Sequence, residues 1–388
     1  MTPPDPTPAH PGGGRRSAVP PAAVRPAAVP AAAVRPAAVP AAAVPPAAVP
    51  AAATHRPPGD DRLSPLARAC ADALAAAFPD LGGSVTDAAE ARRILAAAPR
   101  PPSGPPAVGS VRDALIPGPA PDGPPLPVRI YRPDPLRRPG PRPTVVFCHG
   151  GGWVLCDLDT HDTTVRELCR ASGAVVVSVG YRRAPEHRFP AAVHDAYAAL
   201  CWAGRRLGSL GGHPDALVVA GDSAGGNLAA ASLLLARERG GPRVALQVLV
   251  YPVLDAAGRG GSYERNATGY FLTAAHVRWF WEQYLGPGGD GGHPLASPLV
   301  AGTEGLPPAH VVTAGCDPLR DDGAAYVRAL RAAGTPARED AYPGMFHGFL
   351  ALAGVLPEAG AALDGIGEAI AGTVTDGKNF TGAGGDAG

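Results

Sequence analysis

The chain has 388 residues, with 34 Lys and Arg against 34 Asp and Glu, so its formal net charge is zero. That length allows one large domain or two ordinary ones. The charge balance removes any electrostatic case for nucleic acid or an anionic membrane surface as the main partner. Six cysteines (Cys70, Cys148, Cys156, Cys169, Cys201, Cys316) are scattered without a C-x-x-C pair. Their spacing suggests neither a zinc site nor a disulfide framework, and buried or half-buried thiols in a reducing compartment are expected.

Residues 1–60 are low-complexity. Val19, Val24, Val29, Val34, Val39, Val44 and Val49 recur every five residues among Pro and Ala. Such a segment favours extended polyproline-II conformations and lacks bulky apolar residues for a core, so a disordered tail is expected. Residues 36–54 carry no charge and approach the length of a membrane span, but their regular prolines exclude a continuous helix. No basic stretch followed by an apolar run marks a secretory signal. A soluble, cytoplasmic protein is expected.

The folded region is expected to begin near Leu63. Residues 64–80 and 86–99 read as amphipathic helices, with Ser64 capping before Pro65 and Thr86 capping before an acidic first turn. A Pro-rich connector over 100–125 follows. Strands are then read in LPVRIYR (126–132), TVVFC (144–148), AVVVSVGY (174–181), ALVVAG (216–221), VALQVLVY (244–251), HVVTAG (310–315) and around REDAYP (338–343). Helical stretches lie between most of them. Nearly all-apolar strands separated by helices indicate an α/β fold with a mostly parallel sheet covered on both faces. Residues 254–297 break the alternation. They carry no strand signal, and TAAHVRWFWEQYLG (273–286) reads as an aromatic-rich helix capped by Thr273. Insertions of this kind sit above the carboxyl edge of a parallel sheet, where ligands bind.

Residues 219–228 read VAGDSAGGNL, a strand running into Gly-Asp-Ser-Ala-Gly and then a helix. In G-x-S-x-G the serine occupies a strained strand-to-helix turn that leaves its hydroxyl exposed above the sheet, which makes Ser223 the candidate nucleophile. A serine needs a base, and the base an orienting acid. Asp317 stands at the end of the HVVTAG strand, and His347 follows the next strand in GMFHGF. Asp321 and Asp322 read as charges at the start of the following helix. The HGGGW stretch at 149–153 supplies bare backbone amides directly after a strand. Gly151 and Gly152, with the amide of Ala224, are the candidate oxyanion donors. The cluster Asp157, Asp159, His161 and Asp162 lacks the glycine and final glutamate of a calcium loop. Turn and helix-capping roles, with Thr160 or Asp162 as cap, are expected there. Glu186 and His187 are expected to make structural hydrogen bonds.

HGGGW, GDSAGG (221–226), DPLRDDG (317–323), the histidine of GMFHGF and YRRAPEHRFPAAVHDA (181–196) together resemble the hormone-sensitive-lipase-like branch of the α/β-hydrolases, the family IV esterases. The resemblance spans about residues 63–373. It departs at Arg183, where the family carries an apolar residue, and at Arg188, where it carries proline. It implies an α/β-hydrolase domain over 105–373, preceded by cap helices over 61–104, with a cap insertion at about 254–297 and a flexible tail over 374–388. It implies hydrolysis of short- to medium-chain carboxylic esters by Ser223, Asp317 and His347, without metal or cofactor. Trp153, Trp279 and Trp281 are the expected walls of the substrate pocket. The expected partner is a small-molecule ester, with no nucleic acid and no membrane span, and a homodimer is admitted. An amidase or lactonase with the same triad, or a non-catalytic small-molecule receptor on this fold, are the rival readings.

Overall fold

The computed structural model describes residues 62–97, 104–135 and 140–375. The readings of the 1–60 repeat, of residues 36–54 and of most of the C-terminal tail lie outside the described residues. Two helices come first, α1 (Pro65–Ala77) and α2 (Ala88–Ala97). Ser64 caps α1, its hydroxyl accepting from the Ala67 amide. The cap of α2 is Asp87 rather than Thr86: the Asp87 carboxylate accepts from the Glu90 amide at 2.8 Å. An aspartate in the turn satisfies the helix-terminal donors as well as threonine does, and here it is one residue closer.

The sheet has eight strands in the order β1-β2-β4-β3-β5-β6-β7-β8. They are β1 (Ser110–Ile116), β2 (Leu126–Arg132), β3 (Arg142–Cys148), β4 (Val175–Val179), β5 (Gly212–Asp222), β6 (Leu246–Val250), β7 (Ala309–Cys316) and β8 (Ala337–Phe346). β1 pairs antiparallel to β2, and β2 antiparallel to β4; the other five pairings are parallel. β1 falls inside what reads as a Pro-rich connector. Its SVRDALI sequence is mostly exposed and pairs on one side only, so it carries the polar pattern of an edge strand rather than the apolar run of an interior one.

Helices α3 (Asp162–Ser172), α4 (Ala191–Leu210), α5 (Ala224–Arg239), α6 (Ser262–Arg265), α7 (Ala274–Leu285), α8 (Arg320–Ala332) and α9 (Pro357–Thr375) complete the described chain. Two buried clusters lie on the two faces of the sheet. One gathers residues of α2, α4, α5, α7 and α8, the other residues of α1, α3 and α9. α9 carries no motif and was not singled out in the sequence. Its Ala359, Ala362, Leu363, Ile366 and Ile370 are buried and help close the second face. α5 is buried along its whole first three turns, Ala224 to Ala236. Its Gly, Ala and Leu content lets it lie between the sheet and neighbouring helices without an exposed stripe.

Strand order decides where a site can form. From β3 the chain crosses to β4 on one side and then returns to β5 on the other. The two crossovers leave β3 in opposite directions, and a crevice opens at the carboxyl ends of β3 and β5. No helix among the described residues is long and apolar enough to cross a membrane.

Candidate active site

β5 ends at Asp222, and Ser223 follows with φ 54° and ψ −119°. Positive φ is costly for a side chain larger than glycine, so the surrounding fold must impose it. Space around the turn explains how. A Cβ on Gly221 would lie 2.3 Å from the Gly225 backbone, and one on Gly225 would lie 1.9 Å from the Cys148 carbonyl oxygen. The two glycines let α5 start against the ends of β3 and β5, and the Ser223 amide donates to the Val250 carbonyl at 2.8 Å.

His347 follows β8 and Asp317 follows β7, and both are buried. His347 Nε2 lies 2.9 Å from Ser223 Oγ, and its Nδ1 lies 2.7 Å from Asp317 Oδ2. The other oxygen, Asp317 Oδ1, accepts from the Leu319 amide at 2.8 Å. The three side chains come from positions 94 and 30 residues apart in sequence. They form a continuous chain of hydrogen bonds, an order in which a carboxylate can hold the Nδ1 proton and leave Nε2 to accept from the serine hydroxyl.

Gly151 (φ +102°) and Gly152 (φ +59°) both occupy the left-handed region. The Gly151 carbonyl turns back to accept from the Val154 and Leu155 amides at 3.1 and 2.8 Å. Among the described residues, the amides of Gly151, Gly152 and Ala224 donate to no protein acceptor. Gly151 and Gly152 line the same cavity as Ser223. That arrangement can receive a developing oxyanion without a side chain in the way.

The glycine loop is braced from behind by residues that carry no recognised role in the sequence. Asp222 Oδ1 accepts from the Gly150 amide at 2.9 Å, and His161 Nε2 stands 3.3 Å from the same carboxylate. Burial alone would raise the Asp222 carboxyl; His161, His149 and the Gly150 amide outweigh it and hold the group below its ordinary value. The Tyr181 hydroxyl donates to the His149 carbonyl at 2.8 Å, and burial pushes the His149 imidazole down to about 3, so it is neutral. Asp222 sits inside the serine motif and could have been singled out as the one charged residue in an otherwise small-residue turn. His161 has no such signal.

His161 lies in the acidic cluster read from the sequence. Asp157 makes a turn, accepting from the Asp159 and Thr160 amides. Asp159 and Asp162 pair with Arg129, and Asp162 also with Arg166. The N-cap position of α3 is His161, without a side-chain capping bond, and not Thr160 or Asp162. The imidazole is turned toward Gly150 and Asp222 instead. Among the described residues, no three His, Cys, Asp or Glu side chains are grouped as metal ligands. Glu186 forms an ion pair with Arg92 at 2.7 Å, whereas His187 is exposed. Arg183 bonds the Cys156 carbonyl and Arg188 packs on Gly286.

The cavity above Ser223 has a volume of about 200 Å³. Leu74, Ala77 and Phe78 of the N-terminal segment line it, with Leu95 of α2. Phe271, Leu272, Val277 and Phe280 close it from the 254–297 insertion. Of the three tryptophans read as pocket walls, Trp153 lines the cavity, and Trp279 and Trp281 do not. Trp279 is buried against the N-terminal segment, its Nε1 donating to the Thr86 carbonyl at 3.2 Å. Trp281 packs on Trp153, ring centroids 4.6 Å apart. On a helix, residues 279, 280 and 281 point in directions about 100° apart, so only the middle one can face the cleft. A Cβ on Gly152 would lie 2.1 Å from the Phe280 ring, so the aromatic wall rests directly on the glycine loop.

A family model for the alpha/beta hydrolase fold matches residues 145–351. A carboxylic ester hydrolase of Mycobacterium tuberculosis, LipN, is 44% identical over 275 residues, covering 69% of this chain and 70% of the relative. An ethyl acetate hydrolase of Pseudomonas putida is 40% identical over 256 residues, 64% of this chain and 79% of the relative. The solved structure of a hyperthermophilic esterase from Pyrobaculum calidifontis superposes with a TM-score of 0.65 at 43% identity, covering 69% of this chain and 87% of that one. A thermostable esterase from Pseudomonas putida superposes with a TM-score of 0.72 at 35% identity, covering 81% and 98%. The chain belongs to the α/β-hydrolase fold family, in the hormone-sensitive-lipase-like branch that its motifs resemble.

Proposed function

We propose that the chain is a serine carboxylesterase that cleaves short- to medium-chain esters through an acyl-enzyme. The observation that carries this is the unbroken relay from Ser223 through His347 to Asp317, at 2.9 and 2.7 Å, opening into an apolar cavity. The names of the related carboxylic ester hydrolases support it. Ser223 Oγ attacks the ester carbonyl while His347 Nε2 takes its proton. Asp317 holds the imidazole tautomer and stabilises the imidazolium. The amides of Gly151, Gly152 and Ala224 receive the oxyanion, His347 returns the proton to the leaving alcohol, and water repeats the sequence to free the acid. The N-terminal helices and the 254–297 insertion act together as a cap, since both supply the cavity's apolar wall. A volume of about 200 Å³ is below the roughly 300–1,000 Å³ of drug-sized ligand sites, which favours a small ester.

A cytoplasmic location agrees with six cysteines present as thiols, four of them buried. A homodimer is the assembly to test, by sedimentation at graded protein concentration. The reaction is tested with nitrophenyl esters from C2 to C16, beside amide and lactone arms, on wild type and Ser223→Ala. Affinity should rise by about 0.8 kcal/mol for each CH₂ buried and stop rising once the cavity is full. Ser223→Ala should remove nearly all activity, by about 10⁴-fold or more in kcat. A Ser223→Ala enzyme that kept a tenth of wild-type kcat would overturn the reading. Phe280→Ala should lengthen the preferred chain, and Trp279→Ala should not.

A further inference from the structure

The hydrogen bonds around Asp317 reach well beyond the three proposed catalytic side chains. The loop 315–322 that carries it is gripped by the start of the 254–297 insertion. Asn266 is buried, at 1% exposure, just after α6. Its Nδ2 donates to the Asp317 carbonyl at 2.8 Å and to the Gly315 carbonyl at 3.1 Å. Ser262 Oγ donates to the Pro318 carbonyl at 2.6 Å. The Asn266 amide oxygen is held in turn by Arg62, whose Nη2 donates to it at 3.0 Å and to the Tyr270 hydroxyl at 2.7 Å. Arg62 precedes α1, so a residue of the N-terminal segment orients an amide that bonds the backbone of Asp317.

We infer that Asn266 is a positioning residue for the acid of the site, and that Arg62 fixes the orientation in which it works. The reasoning is geometric. Asp317 uses one oxygen for the Leu319 amide and the other for His347. Its side chain is therefore committed, and any drift of the loop must come from its backbone. Two carbonyls of that backbone are bonded to one amide group. An asparagine can do this because its NH₂ offers two donors while its carbonyl accepts from a third group. With the amide lost, the Gly315 and Asp317 carbonyls lose their tie to the insertion, the Asp317 carbonyl keeping only the Arg320 amide of its own turn at 3.2 Å, and the loop can shift by the fraction of an ångström that separates a tight relay from a loose one. Misplacement of about 1 Å far from the reacting atoms can cost about 100-fold in rate. Substrate contacts are not involved, since neither Asn266 nor Arg62 lines the cavity.

This inference rests on Asp317 being the triad acid, and the experiment separates the two. Asn266→Ala is assayed in the wild-type and Asp317→Ala backgrounds, with active sites counted by a nitrophenyl phosphonate burst and folding followed by Tm. Asn266→Ala should lower kcat by about 10-fold or more, with KM within about twofold, because the loss is confined to the reacting geometry. In the Asp317→Ala background the same substitution should cause no further fall in kcat, because residues acting through one another are non-additive. A merely structural Asn266 would lower activity by the same factor in both backgrounds, and that result, or an unchanged kcat, would overturn the inference. If Asp317→Ala itself kept more than a tenth of wild-type kcat, the triad reading would fail instead. Arg62 is exposed, so its replacement by an uncharged chain of similar length leaves no cavity in the core. Arg62→Met should give a smaller fall, about threefold, that also vanishes without Asp317. If Asn266→Ala does not fold, this second cycle decides in the same way.

Discussion

Around Ser223 the chain is held in place by lack of room, and around Asp317 it is held by hydrogen bonds. At the serine end, Gly221, Gly225 and the ends of β3 and β5 leave no space for a Cβ. One polar tie, from Asp222 to the Gly150 amide, connects the turn to the glycine loop. At the acid end, Asn266 and Ser262 bond the loop's backbone carbonyls, and the loop's own Asp321 and Asp322 accept from amides of the 254–297 insertion, so hydrogen bonds do most of the holding although a Cβ on Gly315 would lie 2.2 Å from the Pro343 carbonyl oxygen. The serine must sit at a forbidden φ within a fixed distance of the oxyanion donors, and steric closure enforces that without alternatives. The acid needs only to orient an imidazole, and hydrogen bonds suffice. The steric side should therefore fail completely when broken, and the bonded side by degrees.

Gly225→Ala should show the largest effect. The new Cβ would lie 1.9 Å from the Cys148 carbonyl oxygen and 2.5 Å from its carbon, both backbone atoms that cannot rotate away. Either α5 or the end of β3 must move. Activity should fall by about 10³-fold or more, with loss of Tm or of soluble protein, as overpacking at a closed backbone contact costs at least 1–3 kcal/mol. Retention of half the wild-type kcat would show that steric closure does not hold the turn.

Asp222→Ala should come next. It removes the nearer acceptor of the Gly150 amide and leaves only His161 Nε2 at 3.3 Å, and the following two residues are the proposed oxyanion donors. Loss of one donor costs about 10²–10³ in kcat, and loosening the loop should approach the lower figure. Asp222→Asn keeps an acceptor for the amide and should recover most of the loss. Equal damage from Ala and Asn would mean that the charge facing His161, and not the hydrogen bond, is what matters.

The serine turn and its glycines were legible because strain leaves marks in sequence: only glycine fits at 221 and 225, and the strand and helix on either side are plain. The interior strands were legible for a similar reason, as β4 and β6 are apolar on both faces. β1 was missed because an edge strand with one partner has no reason to be apolar. The bracing of both ends was harder to see. Asn266, His161 and Arg62 are polar residues in loops, and nothing in their neighbours says that partners lie 49 and 51 residues away for the Asn266 amide group and as far as 61 for His161. The aromatic helix was read correctly as a helix and wrongly in its facing, since adjacent tryptophans say how much apolar surface is buried but not on which side.

Asp322 makes the bonded end sensitive to pH. It stands in the first turn of α8, where the sequence places a helix-start charge, but it is 2% exposed there, and its Oδ2 accepts from the Leu254 and Asp255 amides at 2.9 and 3.2 Å. Burial raises its carboxyl to about 8. Between pH 4 and that value the folded chain holds a proton that the unfolded chain has released. The stability that this one group contributes is therefore fully present below about pH 4, falls as pH rises toward 8, and is level above. Asp322→Asn keeps an acceptor and removes the titration. Between pH 4 and 8, wild-type Tm should fall further than that of the variant, by about 5 °C. Parallel curves would mean that the carboxyl stays ionised throughout.

Removing residues 1–60 should show the smallest effect of all. That stretch contains no Leu, Ile, Phe, Tyr or Trp. It has little apolar surface with which to offset the ordering of about 60 residues, at roughly 1 kcal/mol or more each. We expect kcat/KM within about twofold of the full chain and Tm within about 2 °C, because Arg62 and Arg68, which the shorter deletion keeps, tie the N-terminal segment to the insertion beside the acid end. A cut after residue 68 is the informative partner. It removes Arg62 and its bond to Asn266, the Ser64 hydroxyl that caps α1, and Arg68, whose Nη1 donates to the Gly269 carbonyl at 2.6 Å. Loss of the cap alone is worth about 1 kcal/mol. The longer deletion should therefore lower both Tm and kcat while the shorter one leaves them alone. The boundary between an idle tail and a working one would then lie within eight residues. If the shorter deletion were as damaging as the longer one, the repeat itself would be docking on the fold. The acid end would then depend on more of the chain than the segment from Arg62 onward.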